Sequence, residues 1–156
     1  MSVSLVDNYG PVRQVTLQPE TTVTASGTVN GTAITGLGAY RQAQIALIVT
    51  DADTDVGDTL DVYVDTSFDG GSTWLNVVHF PQILGNGADS QKYSATLDPA
   101  GAAGTSTVDF TSDCNAGVVR PSIFGDQVRV RYIVAKDGDP VEDQSFTFAV
   151  LGEFKR

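Results

Sequence analysis

The sequence has little of what holds small secreted domains together and little of what most enzymes use for catalysis. It contains one cysteine, Cys114, and one histidine, His79. A single thiol cannot form an internal disulfide or a cysteine-based zinc site, which excludes a disulfide-stapled scaffold. A chain of 156 residues buries roughly 70% of its unfolded surface, so one hydrophobic core is enough to keep it folded. We therefore predict a single domain with no metal site and no cofactor.

Positive charge and long apolar runs are scarce as well. The chain has 9 basic and 19 acidic residues, for a net charge of −10. Binding to nucleic acid needs a stripe of basic residues, whereas Arg129 and Arg131 lie isolated among apolar residues. The shortage of positive charge also disfavours binding to anionic membranes. The longest apolar run, about residues 45–49, is far shorter than the ~20 residues of a spanning helix, and the start shows no signal-peptide core. We expect a protein made in a cytosol that binds neither nucleic acid nor membrane.

The abundant residues are those of strands and turns. Val and Thr contribute 20 and 17 residues, Gly contributes 16, and 16 Asp stand against only 3 Glu. Valine and threonine suit pleated strands, Asp and Gly build turns, and strong helix formers are few. This composition favours an all-β protein.

Strand-like runs recur along the chain with turn residues between them. They cover residues 12–18, 21–29, 42–50, 59–66, 73–80, 91–97, 105–111, 127–135 and 144–151. Pro19-Glu20 separates the first two runs, and Asn30-Gly31 is typical of a hairpin turn. The run 42–50 indicates a strand buried on both faces, and the last two runs indicate a closing hairpin. Without a helical stripe, these strands predict a two-sheet antiparallel β-sandwich or jelly roll over residues 12–156.

Residues 1–11 precede this domain and have no evident partner strand. Extended, such an N-terminal arm spans roughly 35 Å, enough to reach a neighbouring subunit. The alternative is a frayed terminus or an edge strand of the same chain. We predict that four apolar side chains of the arm contact a neighbouring subunit or another partner protein: Val3, Leu5, Val6 and Tyr9.

Candidate catalytic groups are few. His79 would have to be the base for a nucleophile such as Ser67, Ser72 or Cys114. Strand alternation in residues 73–80 instead predicts that His79 is a solvated, outward residue. Cys114 has no neighbouring cation in the sequence to lower its pKa and activate the thiol. We expect no enzymatic activity.

The most metal-like segment begins with the alternating residues Asp51, Asp53 and Asp55, which are spaced like the first ligands of a calcium loop. The sixth position is Val56 rather than Gly, and the twelfth is Val62 rather than Glu, so an EF-hand is rejected. We expect a solvated acidic turn between two strands, with a looser calcium site as the alternative.

Residues 67–74 read S-x-D-x-G-x-T-W, the spacing of an Asp-box. In such a turn the Asp side chain accepts backbone N–H groups, the glycines allow positive φ, and the Trp folds back over the hairpin. We predict a locked hairpin built by Ser67, Asp69, Gly70, Gly71, Thr73 and Trp74. The alternative is a sugar-binding site with Trp74 as a stacking platform. In the sialidases that carry similar boxes, the box lies away from the catalytic centre.

The segment LDVYVDTSFDGGSTW, residues 60–74, followed by Val77, His79 and Phe80, resembles a segment common in small β-rich structural proteins of tailed bacteriophages. Within that group the size, the all-β pattern and the N-terminal arm are similar to head decoration (cement) proteins. The resemblance implies a β-sandwich subunit of the virion, often a homotrimer, that binds the major capsid protein on the outside of an assembled capsid and reinforces it. It implies no catalytic residues.

Two other functions remain open at this point. One is a phage tail or baseplate component or a carbohydrate-binding β-sandwich module, which predicts a cluster of exposed aromatic side chains such as Trp74, Tyr63 and Tyr40. The other is a hydrolase, which the single histidine and the few glutamates disfavour.

Overall fold

Strands rich in valine and threonine form two antiparallel sheets that pack face to face. The computed structural model describes residues 12–99, 107–120, 124–138 and 144–156. These residues contain ten strands: β1 (Val12–Val23), β2 (Gly27–Asn30), β3 (Gln42–Asp51), β4 (Thr59–Ser67), β5 (Leu75–His79), β6 (Ile83–Leu84), β7 (Gln91–Leu97), β8 (Val118–Val119), β9 (Gln127–Ala135) and β10 (Phe146–Lys155). None of the described residues forms a helix long and apolar enough to cross a membrane. The predicted all-β, two-sheet antiparallel sandwich is confirmed.

The first sheet has the strand order β1-β10-β3-β7, and the second has the order β2-β9-β4-β5-β8, with β6 paired to the start of β4. The core lies between them because alternate residues of each strand point inward. On β3 the inward, buried side chains are those of Ala43, Ile45, Leu47 and Val49. Across the core the rings of Tyr132 and Phe148 meet edge to face, with centroids 5.2 Å apart. This contact joins a strand of one sheet to a strand of the other.

The closing hairpin predicted for the last two strands is wrong. β9 pairs with β4 and β2, whereas β10 pairs with β1 and β3, so the two strands belong to different sheets. Both strands bury alternate apolar side chains, and this pattern is the same for neighbours in one sheet as for strands that face each other across a core. Alternation therefore identified each strand but could not identify its partner.

The predicted break at Pro19-Glu20 is also wrong. β1 continues through these residues, with register shifts against β10 between Thr16 and Gln18 and between Gln18 and Thr21. β1 lies at the edge of its sheet, where a proline without an N–H group is tolerated at an irregular position.

The turn predicted at Asn30-Gly31 does not reverse the chain. After β2 the chain continues along β9, because the Gly31 N–H donates to the Val130 carbonyl oxygen at 2.7 Å and the Ile34 N–H donates to the Val128 carbonyl oxygen at 2.8 Å. β9 thus has a partner beyond the end of β2.

Two strand predictions need correction. β3 is buried on one face only, since the outward Ala46 and Ile48 are half-buried. Residues 107–111, the described part of the run 105–111, form no strand. There the Asp109 carboxylate accepts the Thr111 backbone N–H at 2.8 Å, a local turn that competes with strand pairing.

The arm, residues 1–11, lies outside the described residues, and with it lie Val3, Leu5, Val6 and Tyr9. Their contacts stay a prediction, as does the boundary between arm and domain.

Candidate functional site

The turn from β4 to β5 is held by the side chains of the S-x-D-x-G-x-T-W motif. The Ser67 hydroxyl donates to Asp69 Oδ1 at 2.8 Å and accepts the Gly71 backbone N–H at 2.9 Å. Asp69 Oδ1 also accepts the Thr73 backbone N–H at 2.8 Å. Hydrogen bonds from Thr73, then from Ser67, lower the pKa of the Asp69 carboxyl below its usual value. Gly70 and Gly71 have φ of +74° and +93°, which glycine adopts without a steric cost.

The aromatic side chains that could have formed a sugar-stacking platform do not make an exposed cluster. Trp74 is half-buried, and the Arg129 guanidinium lies 4.2 Å from the centroid of its ring. Tyr63 is buried and stacks on His79, with ring centroids 4.0 Å apart. Tyr40 is buried as well. A sugar ring would have to displace these contacts before it could stack.

The solvated position predicted for His79 is wrong. Only 7% of this residue is exposed, because the chain around Cys114 lies across the outer face of the second sheet. The His79 Nε2 lies 2.7 Å from Asp61 Oδ1, and Nδ1 lies 2.9 Å from the Cys114 carbonyl oxygen. Both ring nitrogens are engaged, so neither is free to take a proton from a serine or cysteine nucleophile.

The Cys114 thiol is buried and hydrogen-bonded. Its Sγ donates to Asn76 Oδ1 at 2.8 Å, and its backbone N–H donates to the same oxygen at 3.0 Å. Burial raises the pKa of the thiol, although the nearby Arg120 lowers it in part. The expectation that no cation lies near this cysteine is therefore wrong. Because burial outweighs the cation, the thiol is poorly suited to act as a nucleophile.

Arg129 and Arg131 lie on the outer face of the second sheet. Together with Asp61, Asp65, Asn76 and His79 they form a layer of polar side chains on this face. Arg131 Nε donates to Asp65 Oδ2 at 2.9 Å, and its Nη2 donates to Asp113 Oδ1 at 2.9 Å. Arg129 Nη2 lies 3.5 Å from Asp65 Oδ2, and Asn76 Nδ2 donates to Asp65 Oδ1 at 3.1 Å. These arginines are thus neutralised within the chain and form no basic stripe.

Sequence reasoning missed this polar layer, although a signal for it exists. Asp61 and Asp65 alternate with valines along β4, and Arg129 and Arg131 alternate with valines along β9. The register pairs Asp65 with Arg129 directly. Opposite charges at alternate positions of two strands indicate a cross-strand ion-pair row once the pairing is known.

The alternating residues Asp51, Asp53 and Asp55 do not gather around one point as the ligands of a calcium loop would. Asp51 is exposed, whereas Asp53 is buried and each of its carboxylate oxygens accepts a backbone N–H. Asp55 instead approaches Asp58 and Asp137, with one carboxylate oxygen of each within 4.8 Å of the others. The solvated acidic turn is therefore wrong for Asp53 and Asp58, which are both buried. Local spacing could not reveal Asp137, which follows Asp58 by 79 positions.

The outer face of the first sheet carries a shallow depression of about 510 Å³, formed by described residues of β1, β3, β7 and β10. Along its floor runs a lateral row of cross-strand partners: Thr16, Leu151, Ala46 and Ser94. Glu153 is the one titratable residue among those that line the depression, and Lys155 pairs with it at 2.9 Å. The depression is therefore lined mainly by uncharged side chains, with the Glu153–Lys155 ion pair beside it.

No protein-family model matches the sequence, and no curated protein is significantly similar to it. The fold is nevertheless shared with solved structures of infectious bursal disease virus. The structure of the Gx strain matches 92% of this chain with a TM-score of 0.54 and 14% identity. The structure of the Gt strain matches 93% with a TM-score of 0.52 and 11% identity. The crystal structure of the VP2 subviral particle matches 93% with a TM-score of 0.52 and 9% identity.

This chain spans about a third of the length of those chains, 32% to 33%. At such identities the likeness shows a shared fold. The fold in question is a β-sandwich found in structures of a virus particle.

Proposed function

We propose that the protein is a structural component of a virus particle. The observation that carries the proposal is the match of the sandwich, over 92% of this chain, to a structure of a virus. The likeness of residues 60–74 to a segment of tailed-bacteriophage structural proteins points independently to the same class. The two lines of support rest on different properties, one on the whole fold and one on a short sequence.

Within that class we propose a decoration (cement) protein. It binds the major capsid protein on the outside of an assembled capsid, acts as a homotrimer and reinforces the shell. The sandwich fold, the depression on the outer face of the first sheet and the apolar residues of the segment 1–11 support this role. Many copies on one shell give avidity, so that weak individual contacts suffice. The net charge of −10 favours a free subunit that stays soluble before it docks.

The proposed role involves no catalysis. His79 uses both ring nitrogens in hydrogen bonds, and Ser67 uses its hydroxyl within the hairpin turn. Cys114 has a buried thiol whose pKa is raised. These contacts support a mechanical role for the polar layer, which holds the chain around Cys114 against the second sheet.

Co-sedimentation tests the proposal. The purified protein is first examined by size-exclusion chromatography with light scattering, and is then mixed with empty capsids and centrifuged through a sucrose gradient. We expect a trimer that moves with the capsids at a fixed ratio. A monomer that stays at the top of the gradient contradicts the decoration role, and co-sedimentation with isolated tails but not with capsids assigns the protein to the tail or baseplate.

The arm provides a matched variant for the same gradient. Deletion of residues 2–10 should abolish trimer formation or capsid retention, because Val3, Leu5, Val6 and Tyr9 are lost, while the melting temperature of the monomer stays nearly unchanged. A truncated protein that decorates capsids as well as the full chain does would contradict the predicted contacts of the arm.

A further inference from the structure

Three carboxylates come together at one end of the sandwich, where the loop between β3 and β4 meets the chain after β9. They belong to Asp55, Asp58 and Asp137, and one oxygen of each lies within 4.8 Å of the others. Asp58 is the most enclosed, with 1% of the residue exposed. Its Oδ1 accepts the Asp137 backbone N–H at 3.0 Å. Two chain segments distant in sequence are therefore joined at this point.

Two oxygens of this cluster have no hydrogen-bond partner. Asp58 Oδ2 and Asp55 Oδ2 are both buried, and neither accepts a hydrogen bond from the described part of the chain. A buried carboxylate oxygen without a partner is costly, and a second carboxylate beside it adds repulsion. Within the described segments, no basic side chain forms an ion pair with Asp55 or Asp58. Among the described residues, Asp55 and Asp58 thus have no positively charged partner, and a bound cation would supply one.

Two glycines lie where backbone segments around the cluster approach each other closely. Gly57 has a φ of +109°, and a Cβ at this position would lie 2.6 Å from the Asp137 Cβ. A Cβ on Gly85 would overlap the Asp55 carbonyl oxygen, and the Gly85 N–H donates to the Asp58 carbonyl oxygen at 2.7 Å. Glycine at position 57 lets the loop between β3 and β4 approach the chain after β9, and glycine at position 85 lets the turn after β6 approach the same loop.

We propose that Asp55, Asp58 and Asp137 bind a calcium ion. The ligands are carboxylate oxygens, which hard divalent cations prefer, and the cluster contains no histidine or thiolate for zinc or copper. Asp137 is exposed, so water completes the coordination. Calcium accepts the irregular geometry of a site made from two loops, whereas magnesium demands a near-ideal octahedron. The ligands differ from the alternating Asp51, Asp53 and Asp55 set of a calcium loop.

The ion would tie the loop between β3 and β4 to the chain that follows β9. The first of these strands belongs to the first sheet and the other two belong to the second sheet. Calcium therefore stabilises one end of the sandwich, and this role does not depend on whether the protein belongs to a virus particle.

The test is a calcium titration of protein that has first been treated with EDTA. Isothermal calorimetry should give one site per chain. At a free calcium concentration about a hundred-fold above Kd, the melting temperature should rise by about 5–10 °C relative to EDTA. No binding heat together with an unchanged melting temperature would overturn the proposal. An equal rise with magnesium at the same concentration would overturn the assignment to calcium.

Two variants identify the ligands. Asp137→Asn changes an exposed side chain and should fold normally, yet it should lower the calcium affinity at least ten-fold. Asp58→Asn should do the same, and its melting temperature in EDTA should not fall far because a buried charge is removed. Asp51→Asn is the matched control, since Asp51 is exposed in the same stretch and lies outside the cluster. A loss of affinity in Asp51→Asn as large as that in Asp137→Asn would overturn the proposed ligand set.

Discussion

Asp69 shows how a single side chain can fix the path of a hairpin. Its carboxylate accepts the Thr73 backbone N–H and the Ser67 hydroxyl at the point where β4 turns into β5. These bonds favour the charged carboxylate, and for that reason the pKa of Asp69 is lower in the folded protein than its usual value of 3.8. A depressed carboxyl pKa links folding to pH, since the unfolded chain takes up the proton first as the solution is acidified.

We expect Asp69 to add to the free energy of unfolding at pH values above its unfolded pKa of 3.8. This contribution should be lost as the pH falls through the lower pKa of the folded protein. Asp69→Asn cannot ionise, so its free energy of unfolding lacks this dependence. The difference between the wild type and Asp69→Asn should therefore shrink from about pH 5 to about pH 2. Urea denaturation at several pH values measures it, and a difference that stays constant over this range would contradict the assignment.

Gly125 illustrates a second effect at the residue scale, a close approach of two backbones. Its N–H donates to Thr66 Oγ1 at 2.7 Å, and a Cβ at Gly125 would overlap the Ser67 carbonyl oxygen. Gly125→Ala should therefore lower the free energy of unfolding by about 3 kcal/mol, because a buried clash forces the backbone to move.

Gly70→Ala is the matched control. A Cβ at Gly70 meets open space, so the only cost of the substitution is that alanine must adopt a φ of +74°. This should lower the free energy of unfolding by about 1 kcal/mol. Chemical denaturation of both variants should show the larger loss in Gly125→Ala. Equal losses would contradict the role assigned to the close approach at Gly125.

At the scale of elements, the sequence predicted strands better than it predicted their partners. The runs 91–97 and 127–135 coincide with β7 and β9, because strand alternation is a property of neighbouring residues. Pairing is a property of residues far apart in the chain. The alternating pattern of β9 and β10 suits a hairpin as well as it suits two facing strands, and the pattern alone could not choose between them.

The same limit applies to the candidate sites. The S-x-D-x-G-x-T-W motif is contiguous, so its turn could be proposed from residues 67–74 alone. The cluster of Asp55, Asp58 and Asp137 could not be proposed, because the pairing of β4 with β9 brings Asp137 close to Asp58 and this pairing is not visible in the sequence. Strand alternation predicts the outward face for His79. The sequence around Cys114 has no periodic pattern, so it does not reveal that this segment covers His79.

The placement of β9 and β10 in different sheets can be checked by NMR spectroscopy. Backbone nuclear Overhauser contacts should connect β9 with β4, for example near the Val64 and Val130 pair, and β10 with β3, near the Leu47 and Val150 pair. Between β9 and β10 we expect side-chain contacts only, led by the rings of Tyr132 and Phe148. Backbone contacts along β9 and β10 would restore the closing hairpin and contradict this topology.

At the scale of the whole molecule, the two outer faces of the sandwich differ. The second sheet is covered in part by the chain around Cys114, through contacts with His79, Asn76 and Arg131. The described residues on the outer face of the first sheet form a shallow depression. The two outer faces therefore present different surfaces to another molecule.

We propose that this protein is a structural part of a virus particle and is attached to the outside of the capsid. Cryo-electron microscopy of empty capsids, reconstructed with and without the added protein, tests it most directly. We predict extra density on the outer surface, at symmetry-related positions between capsid subunits, into which the two-sheet sandwich fits. Reconstructions that show the same surface with and without the protein would contradict the claim.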